Sequence, residues 1–512
     1  MNTFLSFILK RLGVTLLVLF AATYFMYVLT AYSGDPLEDL RTSTARNKEE
    51  LISRRVELLN LDVNPFLRYF IWLAGVLKLF IGQFDLGKNL NGQDVTDLVG
   101  AAISSTLQLV TTATFIAITI GITVGILTAL RQYSRFDYSV TLIAFIFFSL
   151  PVFWVAILLK QYLAIGFNDF LQNPQIQWPA LLAIGIVTGF FWAGIIQGNR
   201  KKLRIVFATA FVGSIGLIQT LVWINWFNNP GIGMFAGAVI GSGLALLITA
   251  ISVGLENKRA RNLALVQVAI GLAIWIPFNM VSLFVSPILL VLIFIAMSLI
   301  GWAIGFYFGG EDKHAVARTT ALAGFAMTAV VSLDRFMQAW KPYSESSFIN
   351  GRPFATVGSQ TPNLVSSFWV QGVDSFTHLL LPTLALLLIG FAGYTRYARA
   401  SMLEIMNQDF IRTARAKGLN ERTVVMRHAF RNSLIPMTTL VAFDFAGIVG
   451  GAVITETVFG WSGMGSLFVE SLRRVDLNPV MGFFLVTSLV AVVFNLIADI
   501  VYSLLDPRIR VS

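Results

Sequence analysis

The 512-residue sequence contains no cysteine and only three histidines, and just 12% of its residues are charged. Without cysteine there are no disulfides and no thiolate metal ligands within the chain. The histidines, His314, His378 and His428, stand far apart with no ligand spacing, so no metal site is expected. The apolar stretches hold no clustered acids, histidine pairs or Ser–Lys pairs, which leaves no catalytic residue to name and argues against a membrane-embedded enzyme. A phosphate-binding loop is missing as well. "GQFDLGKN" (Gly82–Asn89) has the glycine and lysine spacing, but Asn89 stands where the motif needs a hydroxyl, and no buried strand precedes it. The chain is therefore not expected to hydrolyse ATP.

What the sequence does have is apolar length. Hydrophobic residues make up 56% of it, mean hydropathy is +0.74, and several stretches run 20 residues or more without a charge, the mark of a polytopic helical membrane protein. The uncharged run Leu12–Tyr32 has spanning length and no convincing cleavage site after it, so it reads as a retained first transmembrane helix rather than a signal peptide. Further spans are expected at about 106–130, 138–166, 178–198, 205–227, 232–255, 262–283, 287–309, 317–338, 376–395, 434–456 and 478–504, about twelve in total. Phe66–Ile81 is interrupted by Arg68 and Lys78 and is expected to lie at the interface. The net charge of +10 matters less than where the charges fall. With both termini in the cytoplasm, most of the Lys and Arg lie in cytoplasmic segments such as "RQYSR", "RKKLR" and "ENKRAR", while the short outer turns near 167–177, 228–231 and 284–286 have none. The span 317–338 is the weakest, because Asp334 and Arg335 must sit near its outer boundary.

One cytoplasmic segment stands out: "RTARAKGLNERTVVMRHAFRNSLIP", Arg412–Pro436. "LEIMNQDFIRTARAK" is helix-forming and stops at Gly418, which accepts a left-handed cap. Asn420 offers an N-cap with Glu421 in the first turn, and "ERTVVMRHAFRNS" then runs on to Pro436. Phe410, Ile411 and Ala414 on one side and Val425, Met426, Ala429 and Phe430 on the other can form an apolar seam, leaving the basic residues for headgroups or a partner protein. The positive-inside rule alone would also make such a loop basic.

With its flank "TRYARASMLEIMNQDF", this segment resembles the coupling loop of ABC importer permeases of the dipeptide, oligopeptide and nickel branch. The resemblance extends to "HLLLPTLALLL" upstream, "GGAVITETVFGWSGMG" and "NLIADIVYSLLDPRIR" downstream, and "LKRLGVTLLVLF", "GDP" and "FDLGKNLNGQDVTDLV" near the start. It implies an all-α polytopic membrane protein. A type I ABC importer permease core of about six helices would carry roughly six additional inserted transmembrane helices. The expected division is a first transmembrane helix at 1–32, an extracytoplasmic loop with interfacial helices at 33–105, core helices at 106–166, an inserted multi-helix block at 167–375, and core helices at 376–512 with the coupling loop at 396–433. The inserted block is rich in Gly, Ala and Trp with few polar side chains, and reads as a lipid-facing appendage.

The resemblance further implies a permease subunit of a binding-protein-dependent importer in a prokaryotic plasma membrane, most simply for di- or oligopeptides. Nickel or another small solute is open. Its partners would be a second homologous permease, two cytoplasmic ATP-binding subunits that hold ATP and Mg²⁺, and an extracytoplasmic solute-binding protein. No cofactor belongs to this chain. The ATPase-coupling residues would be Arg412, Thr413, Ala414, Arg415, Ala416, Lys417, Gly418, Leu419, Asn420, Glu421 and Arg422. Within the spans, Asp444 is an acid the family pattern does not contain; it can face the pathway, to meet a substrate's amino terminus or a cation, or equally pair with a residue of a partner helix. It stands near Gly447, Gly450 and Gly451, which allow close helix approach; these four are pathway candidates. Lys160 is expected to snorkel, and Glu456 and Asp499 to fix loop geometry. The rival reading is a secondary transporter with twelve spans, which calls for half-to-half repeats that the sequence does not show.

Overall fold

The structure is a computed structural model that describes residues 2–196, 198–282 and 285–505; within these, only the backbone is described at 2–12, 15, 422, 439, 442–443, 445–451 and 495–505. The described residues are almost entirely helical, with one isolated antiparallel bridge, Lys88 to Asp94. Among the described residues, nine helices are long and apolar enough to cross a membrane, ten if the bent pair Arg135–Ser149 and Val152–Gln172 counts as one crossing. Each of the twelve expected segments falls on a helix, although this does not by itself make all twelve spans. The chain is a multi-pass membrane protein.

The chain divides into two compact units, residues 1–161, 356–359 and 379–512 in the first, and 162–355 and 360–378 in the second. In the first unit, Asn2–Ala31 packs against the short helix Pro65–Leu77, where Tyr69 OH and Thr23 Oγ1 share a hydrogen bond at 2.9 Å. Asn64 caps the short helix by accepting from Phe66 N at 3.0 Å, and Pro65 fills a position whose N–H has no partner anyway. Thirteen residues reach roughly 20 Å, too short to span, so this helix lies beside the first one. The helices Val95–Leu130 and Phe368–Met406 are much longer than a bilayer needs. They approach closely: a Cβ on Gly125 would stand 2.5 Å from Thr395 O, so only glycine fits there.

The expected continuous span 138–166 is broken. Arg135–Ser149 and Val152–Gln172 meet at 104°. Pro151 is the cause: it pushes Leu150 into an extended conformation (φ −84°, ψ 131°) and cannot donate to the preceding turn.

In the second unit, six helices carry the apolar length: Trp178–Ile195, Arg200–Trp223, Gly233–Ser252, Lys258–Val281, Pro287–Phe308 and Lys313–Gln338. Asn199, Asn257 and Ser286 cap three of them through backbone N–H groups of Lys202, Ala260 and Leu289. Gly301 and Gly305 let Pro287–Phe308 lie directly on Lys313–Gln338, where Thr320 Oγ1 donates to Gly301 O at 2.6 Å. Asp334 and Arg335 are both satisfied. Asp334 Oδ1 accepts from Ile232 N and Gly233 N at 2.8 and 3.0 Å and so caps the start of a neighbouring helix, and Arg335 Nε donates to Ser282 Oγ at 2.7 Å.

Candidate functional site

The basic segment forms an elbow. The helix expected to run unbroken to Gly418 instead stops at Met406. Asn407 and Gln408 break it, and a separate helix covers Asp409–Ala416. Gly418 comes next with φ 76°, donating its N–H to Arg415 O at 2.9 Å, so the chain reverses through a left-handed residue as the sequence suggests. Asn420 caps the return, accepting from Thr423 N at 2.8 Å. The returning chain passes through a π-helical turn, Val424–Ala429, and continues as Phe430–Gly451. Pro436 does not end it.

The underside of the elbow is apolar. Ile411 and Ala414 meet Val425 and Ala429, as the spacing predicts, and are joined by Val424, Met402 and Ala129 in one buried cluster. Phe410 and Met426, assigned to the same seam, are exposed. The upper side is polar and open: Arg412, Thr413, Arg415, Ala416, Lys417, Gly418, Leu419, Asn420 and Glu421 are all exposed. The side chain of Arg422 lies outside the described residues. A clasp closes the turn, with Arg415 donating to both oxygens of Glu421 at 2.7 and 3.2 Å. This hydrogen bond holds the Glu421 carboxyl below its ordinary range and raises the Arg415 guanidinium. Both groups are exposed, so the clasp shapes the turn more than it stabilises the protein.

Three contacts fix the elbow's helices, two to the rest of the first unit and one to each other. Arg399 donates from Nε and a terminal nitrogen to the two oxygens of Asp137, at 2.7 and 3.0 Å, and Asp137 is also bonded by Tyr133 N at 3.0 Å. Ser401 Oγ donates to Ser433 O at 3.0 Å, joining the helices that enter and leave the elbow. The third is the glycine approach at Gly121 and Gly125 against Tyr394 and Ala398. Sequence reasoning missed Arg399 and Asp137; a basic residue in a basic loop and an acid at a helix start look unremarkable until the fold brings them together.

Asp444 is exposed and accepts a hydrogen bond from Tyr394 OH. Gly447, Gly450 and Gly451 lie on the same helix, but their surroundings fall outside the described side chains, as does the side chain of Asp499. Lys160 has a fixed partner: its Nζ donates to Val458 O at 3.0 Å and stands 5.8 Å from the centre of the Phe459 ring. Glu456 is fully buried and organises the "GWSGMG" loop. Its Oε1 accepts from Thr106 Oγ1 at 2.6 Å, and its Oε2 from Gly465 N and Ser466 N at 2.7 and 3.1 Å.

The elbow and the helices on either side of it define the class to which this part of the chain corresponds. Residues 350–511 match the family described as binding-protein-dependent transport system inner membrane component. Among characterised relatives, the oligopeptide transport system permease protein OppB of Mycobacterium tuberculosis (strain ATCC 25618 / H37Rv) is 43% identical over 159 residues, 31% of this chain and 49% of that protein. The oligopeptide transport system permease protein AppB of Bacillus subtilis (strain 168) is 41% identical over 157 residues, 31% of this chain and 48% of that protein. The dipeptide transport system permease protein DppB of Escherichia coli (strain K12) is 38% identical over 138 residues, 27% and 41% of the two chains. The chain spans about half the length of the curated relatives it matches.

Proposed function

We infer that the chain is the permease subunit of an ATP-driven, binding-protein-dependent importer for di- or oligopeptides. It would form half of a translocation pathway with a second, homologous permease in a prokaryotic plasma membrane, with both termini cytoplasmic. Two ATP-binding subunits, carrying ATP and Mg²⁺, would take the segment Arg412–Arg422 as their seat, exposed from Arg412 to Glu421 except at Ala414, which belongs to the buried underside, and an extracytoplasmic binding protein would deliver the solute. The chain itself is not an enzyme. The observation that carries this reading is the build of the elbow: a polar ridge held rigid by a buried apolar underside and by the Asp137–Arg399 latch. A rigid seat converts movement of a docked partner into movement of the helices behind it. Asp444 and the glycines beyond it would line the moving wall, with Asp444 placed to meet a substrate's amino group.

Since the chain lacks cysteine, a single cysteine at the exposed Ala416 (A416C) is a unique cross-linking handle. In membranes of the source cell it is expected to capture an ATP-binding chain, with yield that changes on nucleotide addition. If the captured chains include no ATPase, the reading fails.

A further inference from the structure

A cavity of about 250 Å³ opens in the first unit where the first helix ends, lined by Tyr27, Asp35, Arg41, Leu59, Leu61, Pro65 and Arg68 among others. Its unusual member is Arg68. The residue is only 7% exposed and its guanidinium carbon stands 6.0 Å from the centre of the Tyr27 ring, yet its buried Nε finds no acceptor among the described residues. A buried charged donor left without an acceptor is costly, and such groups are normally paired. The local acids do not serve it. Asp35, the carboxylate on the cavity wall, already accepts from Leu37 N at 2.9 Å and stands 3.1 Å from Arg41 Nε. Asp476, next in sequence to two lining residues, Val475 and Leu477, accepts from Leu90 N at 3.0 Å through Oδ2, and its buried Oδ1 has no partner among the described residues, so it is not bonded to Arg68 either.

The wall therefore presents two guanidinium groups and one engaged carboxylate, beside an aliphatic surface of Leu59, Leu61 and Pro65. A planar guanidinium with a free N–H matches an oxyanion, because carboxylate and phosphate oxygens accept two parallel hydrogen bonds from it. The cavity is smaller than the roughly 300–1,000 Å³ of pockets for drug-sized ligands. It suits one small molecule or a single headgroup.

We propose that this cavity binds one oxyanion, a carboxylate or a phosphate, with Arg68 as the anchoring cation, Arg41 at the mouth, and the aliphatic wall taking the carbon part of the ligand. The proposal is independent of the transport reading.

The test uses the purified full chain in lipid-free dodecyl maltoside, titrated with inorganic phosphate, acetate or glycylglycine at constant ionic strength, with binding read calorimetrically and thermal stability alongside. At least one probe is expected to bind saturably at one site. R68Q should weaken that binding by about tenfold to a hundredfold, the worth of a hydrogen bond to a charged group. L61W, which takes up cavity space from the aliphatic wall and leaves Arg68 in place, should weaken it as well and serves as the deciding variant if R68Q does not fold. Adding phosphatidylglycerol separates the sources. If it competes with the soluble probe, the natural oxyanion is a lipid headgroup; if it does not, it is a soluble anion. No saturable binding of any probe or of phosphatidylglycerol overturns the proposal, as does binding that L61W leaves unchanged.

Discussion

Arg399 and Asp137 meet through two parallel hydrogen bonds, at 2.7 and 3.0 Å, between the helix that enters the elbow and the helix that begins at Arg135. Asp137 is almost completely buried and Arg399 mostly so. A pair placed this way is a poor source of net stability, but removing one partner strands the other's charge, which costs roughly 3–5 kcal/mol where burial is complete and less where one partner is part-exposed.

The first prediction concerns that latch. R399A is expected to lower the melting temperature of the detergent-purified chain and to abolish uptake. R399K should recover part of each, because a lysine cannot make the two-fold bond. The double variant D137N/R399Q should be more stable than R399A alone, because it leaves no stranded charge. With the single variants D137N and R399Q completing the cycle, additive losses would mean that the two residues do not act as a pair.

A second prediction rests on Glu456. Three donors converge on its carboxylate. E456A leaves them buried without an acceptor, at about 1–3 kcal/mol for each unsatisfied group, and should sharply reduce the yield of folded protein. E456Q keeps an acceptor for Gly465 N and Ser466 N and should lie between E456A and the parent in thermal stability. Equal stability of E456A and the parent would remove Glu456 from its role as organiser of the loop.

The third prediction is a pH dependence. Burial raises the Asp476 carboxyl from 3.8 to about 6, outweighing its hydrogen bond from Leu90 N and the nearby Arg55 and Arg474. A carboxyl raised in the folded state contributes stability that is fully present below its unfolded value and is lost as pH rises through the folded one. The chain should therefore melt higher at pH 5 than at pH 7.5 as far as this group is concerned. D476N, which keeps an acceptor for Leu90 N, should flatten that part of the profile. An unchanged slope in D476N would assign the dependence elsewhere.

Much of the elbow was legible because its signals are local. Gly418 must adopt a left-handed backbone, Asn420 must cap the returning helix, and the apolar spacing of Ile411, Ala414, Val425 and Ala429 needs only helical periodicity. Hydropathy likewise located the helices, since a lipid-facing helix declares itself by composition. The features that escaped were set by partners distant in sequence. Nothing near Asp137 announces Arg399, and nothing near Lys160 announces the carbonyl of Val458. The break at Asn407–Gln408 and the passage of Pro436 through a continuing helix escaped for another reason: propensity places a helix more reliably than it places an interruption. Pro151 carried the signal for the 104° bend, but a long apolar run masked it.

The most direct measurement of the central claim is peptide uptake, with peptide-stimulated ATP hydrolysis, by membranes carrying the parent chain, G418N or G418V. A Cβ at Gly418 meets no atom of this chain within 4 Å, so within the chain the cost falls on the backbone at φ 76°, and G418N controls for the added side chain at the partner's seat. Asparagine tolerates that conformation, while a β-branched valine pays roughly 1–2 kcal/mol or more. The account predicts near-normal uptake and stimulation for G418N and loss of both for G418V, with the chain still folded in the membrane. Full uptake by G418V would contradict the elbow as the seat of an ATP-driven partner.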